Sequence, residues 1–407
     1  MSSQREILRC LATEYAEIAY NPVNVENQKL YRAVNGLRMI RPVVLIDEEP
    51  WSELNTKGEL NLLSTDEDLR SAELYMRRML YKWNHHRADM IVPPFIPVRK
   101  IISGHSGWLS VKEETIATDR LNNIVSHEYK DQLRNPEDIE KLTMPQVNYD
   151  KKSTEKIRNK INEFIGDIIP ARIIGHNASI CPWDLLPTYR GVTNLLIDLV
   201  ERPGHIHAIM EKMTNMYIEQ YRQYEELGLF ESEPYLIHCT PAMCDELSTK
   251  EGEPVLRKNI WGRGMAQVLA TVSKSMHEEF EIFYQKRMME PFGLVYYGCC
   301  EPLDKKIDIV RKIPHLRKIS ITPWADVNVA TEIIGKDYVV SLKPNPANVC
   351  SGFSKDTIKK EILTLLKACN TNGCNCEIVL KDISTTAYNY KNLEMWERTV
   401  MDIVKSY

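Results

Sequence analysis

From about residue 89 onward the chain repeats one pattern: a short apolar, β-prone run, a few polar residues, then a longer stretch with helical spacing. No other feature restricts the fold as strongly. Strands that alternate with helices pair in parallel, and each parallel connection needs a helix to carry the chain back. The runs are ADMIVPPFIPV, ARIIGHNAS, PYLIHCT, GLVYYGCC, RKISITP, DYVVSLKPNP and CEIVLKDIS, and PVLRKNIWG supplies an eighth. Between them, Ser354 can cap a helix whose Ile358, Ile362, Leu365 and Leu366 share one face, and Leu393, Trp396, Val400, Ile403 and Val404 form the face of the last helix. No glycine-rich dinucleotide fingerprint follows an early run, so an α/β fold of the closed (β/α)8 TIM-barrel type is expected rather than an open doubly wound sheet.

Residues 1–88 read differently. Ile7, Leu8, Leu11, Tyr15 and Ile18 recur at helical spacing, a second helical stretch runs through LRSAELYMRRMLYKWNHH, and RPVVLIDEEPW between them is a strand or a buried connector. The expected organisation is an N-terminal helical extension, 1–88, packed on a barrel of residues 89–407. A net charge of -4 with Lys and Arg scattered along the chain excludes a nucleic-acid footprint. No run of roughly 18 apolar residues is present to span a membrane, and MSSQREILRC carries charges where a secretory signal needs an apolar core. Ten unevenly spaced cysteines, with Cys299 and Cys300 adjacent, do not form a secreted disulfide framework. A reducing cytoplasm is the expected location.

In parallel barrels the chemistry sits where strands end and loops begin. Strand ends in order give His176 and Asn177, His238 and Cys239, Trp261 and Arg263, then Tyr297, Cys299, Cys300 and Glu301, Trp324 and Asp326, Lys343 and Asn345, and Lys381 and Asp382. The set is rich in ligands, acids and bases, which predicts one shared mouth. Two vicinal thiols followed by a carboxylate can bind a soft metal, supply a thiolate, or pack as small hydrophobes. Lys343 and Lys381 end strands that are otherwise apolar, so they are expected to hold an anion or a salt bridge. Asp326 is equally suited to capping the next helix. The CNC triplet Cys374 to Cys376 lacks a nearby His or second pair and is read as packing.

The succession IWGRGMAQ, SKSMHEEFEIFYQKRMMEPFG, LVYYGCCEPL, KISITPWADV, YVVSLKPNPA and IVLKDIS resembles the uroporphyrinogen decarboxylase superfamily over residues 165–407. That superfamily includes the decarboxylases and cobalamin-dependent methyltransferases. The decarboxylase signature, an Arg-rich stretch like RQAGRYMPEY, is missing here. The resemblance therefore implies the methyltransferase branch, whose thiol-acting members hold zinc with a His-x-Cys at a strand end and a later Cys. The matching triplet here is Tyr297-Gly298-Cys299, with tyrosine in place of the histidine.

The function expected from the resemblance is methyl transfer between a small methylated compound or thiol and a cobalamin presented by a separate corrinoid protein. Cys299, Cys300 and Glu301 are the expected metal set, with zinc the expected ion; His238 is an alternative ligand in place of the family's histidine, and a branch working without zinc is the other alternative. Tyr297, His238 and Asp382 are the expected acid-base or orienting groups. Arg263, Lys343 and Lys381 are expected to hold an anionic substrate group, with Trp261, Trp324, Asn345 and His176 also facing the substrate. A homodimer is compatible with this reading. The alternatives are a decarboxylase or lyase acting on a small carboxylate or tetrapyrrole, which would rely on the same cations, and a non-catalytic ligand-binding barrel.

Overall fold

A computed structural model describes residues 4–104, 107–117, 125–250, 252–350 and 354–407. Its centre is a curved, all-parallel sheet of seven strands: β1 (Val43–Ile46), β2 (Ala178–Ser179), β3 (Trp261–Gly264), β4 (Leu294–Tyr297), β5 (Leu316–Ile321), β6 (Val339–Leu342) and β7 (Asn375–Leu380). The order across the sheet is β1-β7-β6-β5-β4-β3-β2. From β2 to β7 each strand lies beside its predecessor in sequence, and β1 returns to the far side of β7, with Val43 opposite Glu377 and Ile46 opposite Leu380. This is the strand order of a barrel, but the edges β1 and β2 are not hydrogen-bonded to each other among the described residues.

The seam has a cause in the sequence. The run ADMIVPPFIPV contains Pro93 and Pro94, which have no N–H to give a ladder. Only its end, Ile96–Arg99, is a strand, and it pairs in parallel with Ala171–Ile174 away from the main sheet. PYLIHCT, expected as a barrel strand, folds back on itself as the antiparallel pair Leu236–Ile237 and Thr240–Pro241. RPVVLIDEEPW, open as strand or connector, is the edge strand β1.

Alternation along the strands separates two cores. Val44, Ile46, Ile319, Val340, Leu342, Ile378 and Leu380 face the helices, while Val43, Leu45, Val339 and Val379 line the concave side with Tyr31, Cys239 and Met243. Both faces are covered, which is why the strands read as unbroken apolar runs. The helices Gln4–Ala19, Glu67–His85 and Lys151–Ile165 form a further cluster with the Ile96–Arg99 pair. Helix starts are capped as the residue types demand: Asp66, Asp326 and Ser354 each accept a backbone N–H from the following turn. Among the described residues no helix is long and apolar enough to cross a membrane.

The concave face also carries charge. Lys318 and Glu377, both fully buried, pair at 2.7 Å, Ser341 donates to the second Glu377 oxygen at 2.6 Å, and Lys343 donates to Ser341 at 2.8 Å. This ladder of polar groups climbs the inside of the sheet toward the ends of β4 and β7.

Candidate functional site

The hairpin reaches the same end of the sheet. Its loop is only two residues, His238 and Cys239, at φ 40° and 65°. Two-residue turns with both residues left-handed are normally Asn-Gly, because a side chain there is strained. The legs hold the loop in place: Lys318 Nζ and Asn35 Nδ2 donate to the Pro241 carbonyl at 2.8 and 3.0 Å, and Trp261 Nε1 donates to Ala242 at 2.8 Å. Glu48, just after β1, and Asp382, just after β7, have φ 57° and 56°. Four strained non-glycine residues from three separate elements thus converge on one place, a pattern typical of functional sites.

The vicinal thiols lie there. Gly298 turns the chain after β4 at φ 95°, where a Cβ would stand 2.7 Å from Leu303 Cδ1. The turn breaks strand alternation and brings both Cys299 and Cys300 to the cluster. Cys299 Sγ is 3.3 Å from His238 Nε2, 3.5 Å from Lys381 Nζ and 3.6 Å from Cys300 Sγ. Cys300 Sγ in turn lies 3.0 Å from Asp382 Oδ2, and Lys381 also pairs with Asp382 and, at 3.5 Å, with Glu48. The Cys300 thiol, His238 and Lys381 hold Cys299 well below the ordinary thiol value although burial opposes them. The hydrogen bond to Cys299 raises Cys300 correspondingly. Burial disfavours the Asp382 carboxylate, but Cys300 and Lys381 bring it down to about 2. The arrangement stabilises a thiolate at Cys299.

The donors that could hold a metal overlap the expected set only through His238, which the sequence leaves open as a ligand. Glu301 is buried with both oxygens committed to the backbone, accepting from Cys299 N at 2.9 Å and Ala266 N at 3.0 Å, so it shapes the loop and is not a ligand. Burial raises its carboxyl to about 7. Instead Glu48, His238 and Cys239 present ligand atoms within 4.8 Å of one another. Cys299 adjoins this group through its 3.3 Å contact with His238. Tetrahedral zinc places N, O and S ligands roughly 3.3–3.8 Å apart. The donor types of Glu48, His238 and Cys239 suit that ion, and their atoms lie within 4.8 Å of one another.

Other expected residues separate into two groups. Arg263 and Lys343 belong to the neighbourhood. Arg263 is 4% exposed, and its hydrogen bonds go to neutral partners: Ser179 Oγ at 3.0 Å, Cys181 Sγ at 3.6 Å and Met265 Sδ at 2.7 Å, with Nε unpartnered. Cys181, Met265, Cys299 and Cys300 pack together beside it. Burial takes the Lys343 ammonium down to about 8. Burial likewise raises the nearby Asp184 to about 6.

The remaining candidates do not meet the thiols. Tyr297 points outward, where its hydroxyl bonds His277 Nε2 at 2.8 Å beneath a helix. Trp261 is core, with Lys318 Nζ 5.6 Å from its ring. Trp324 is 69% exposed on the rim, and Asn345 caps the short turn after β6 through Ala347 N at 3.0 Å. His176 lines a cavity in the seam whose wall includes Cys239 but neither Cys299 nor Cys300. Asp326 is a helix cap, and Cys374 and Cys376 are buried packing residues.

Sequence reasoning missed Glu48 as a donor and Cys181 and Asp184 as neighbours. The signal for Glu48 was available: DEE directly follows the apolar VVLI, the same strand-end pattern used elsewhere.

No family model matches the sequence, and no curated protein matches it. Among solved structures, a methyltransferase from Methanosarcina mazei superimposes with a TM-score of 0.53 at 12% identity, over 92% of this chain and 98% of that one. The likeness is one of fold.

Proposed function

We propose that this chain is a methyltransferase of corrinoid-linked one-carbon metabolism, built on a barrel of the uroporphyrinogen decarboxylase type. It would move a methyl group between a small methylated compound or thiol and a cobalamin held by a partner protein. The observation that carries this reading is Cys299 Sγ ringed by His238 Nε2, Lys381 Nζ and Cys300 Sγ at 3.3 to 3.6 Å. The fold likeness to a protein named a methyltransferase agrees with it.

Glu48, His238 and Cys239 are the residues that would hold zinc, with Cys299 beside His238. Bound there, zinc lowers the pKa of a coordinated thiol. Lys381 balances negative charge on the sulfur, and Asp382 fixes Lys381 and Cys300. Arg263 and Lys343 offer positive charge to an anionic substrate group.

The test is to mix the purified chain with methylcobalamin and small thiols and follow the corrinoid spectrum. Thiol-dependent loss of the methylcobalamin spectrum that disappears in Cys299→Ser is the expected result. An unchanged rate in that variant, or no reaction with any thiol, removes the reading. A lyase is the second reading, favoured by Arg263, a buried guanidinium with only neutral hydrogen-bond partners. Decarboxylation of a small carboxylate by the metal-free protein, abolished in Arg263→Gln, would put it first.

A further inference from the structure

The seam between β1 and β2 is hollow. A cavity of about 370 Å³ opens there, at the ends of β1 and of Ala171–Ile174. Cys239 of the strained hairpin forms part of its wall. The volume is that of a small-molecule site and too small for a corrinoid. We propose that this cavity is the substrate chamber and that it takes a small zwitterion with a methylated onium centre and a carboxylate. The inference rests on the methyl-transfer reading for the orientation of that ligand, its onium methyl toward Cys239 and the hairpin that also carries His238.

Three observations select this chemistry. Tyr75, Phe95 and Tyr235 line the cavity, with the Phe95 and Tyr235 rings 6.3 Å apart and tilted by 41°. Aromatic faces attract organic cations, and quaternary ammonium groups are characteristically bound this way. The wall already holds one such cation: the Arg172 guanidinium lies 3.8 Å over the Phe95 ring and pairs with Glu231 at 3.1 Å. Glu231 is itself fixed by the Gly175 N–H at 2.6 Å, so the carboxylate is part of the wall and not a mobile surface group.

The charges lining the cavity are balanced, Asp47, Glu231 and Glu233 against Lys82, Arg99 and Arg172. Lys82 pairs with Glu49 at 2.6 Å and lies 3.7 Å from Asp47, and Arg172 is taken by Glu231. Arg99 makes no ion pair among the described residues and is exposed at the entrance. A ligand with a positive head among the rings and a carboxylate at Arg99 matches both ends, whereas a simple anion or a simple cation matches one.

The test uses glycine betaine, tetramethylammonium and 3,3-dimethylbutanoate, the last having the shape of betaine without its positive charge. Binding to the whole chain is read by calorimetry and saturation-transfer NMR, with no methyl transfer required. Betaine is expected to bind at least tenfold more tightly than 3,3-dimethylbutanoate. Tyr235→Leu should weaken betaine about five- to tenfold without changing the melting temperature or the alkylation rate of Cys299. Arg99→Gln should weaken betaine and leave tetramethylammonium unaffected. Equal binding of the uncharged-head analogue, or no binding of either onium probe at millimolar concentrations, overturns the proposal. Betaine binding without methyl transfer would retain the chamber and remove the methyltransferase reading. Methyl transfer from other donors with no onium binding would do the reverse.

Discussion

Tyr297 and Cys299 stand two positions apart and end on opposite sides of the sheet. Strand alternation sends the Tyr297 hydroxyl outward to His277, and the turn at Gly298 brings Cys299 back to the mouth. Tyr297→Phe should therefore cost stability, about 1–3 kcal/mol for a buried imidazole left without its partner, and leave thiol chemistry intact. Urea unfolding and the alkylation rate of Cys299 check the two halves. Cys299→Ser should do the opposite, losing the fast-alkylating thiol with little change in unfolding. Lys343 gives a pH signature. Burial holds its folded value at about 8, below roughly 10.4 in the unfolded chain. Between these values the unfolded state binds more protons, so this lysine's destabilising contribution is complete below its folded pKa and disappears as pH rises to its unfolded one. Lys343→Met should gain most relative to the parent near neutral pH and lose that advantage toward pH of about 10, as measured by unfolding at a series of pH values.

The hairpin shows what an element can hide. PYLIHCT has the composition of a barrel strand, and composition cannot distinguish a strand from a two-residue hairpin whose turn lacks the usual Asn-Gly. The turn is formed because Lys318, Asn35 and Trp261 hold its legs from 77, 206 and 19 residues away. Replacing both strained residues, His238→Asn with Cys239→Gly, should stabilise the protein by about 1–2 kcal/mol and abolish zinc binding. A destabilised double variant would show that the left-handed backbone is not under strain. The elements that were legible, β3 to β7 with their helices, are those with local signals: an apolar run, a cap and a helical face, as in Ser354 followed by Ile358 and Ile362. The site was legible in part for the same reason. Lys381 and Cys299 follow runs that end cleanly, whereas Glu48 joins them only because β1 pairs with β7, which no local pattern announces.

At the scale of the molecule the candidate metal donors come from the end of β1 and the hairpin, so an ion held there would tie together parts of the chain that are distant in sequence. Zinc at a hundredfold excess over its dissociation constant should add about 2.7 kcal/mol of stability. A melting temperature that zinc leaves unmoved in the parent would argue against the site, and Cys239→Ser should show no response. The position of β1 has a further consequence. Its partner strand, β7, lies on the order of 330 residues later in the chain. On the ribosome, at 5–20 residues per second, Val43–Ile46 would wait roughly 20–70 s for that partner. For this time a short apolar strand edge is exposed and able to pair with a neighbouring nascent chain, so production of this protein should be limited by how well that edge is shielded during synthesis rather than by the stability of the finished sheet.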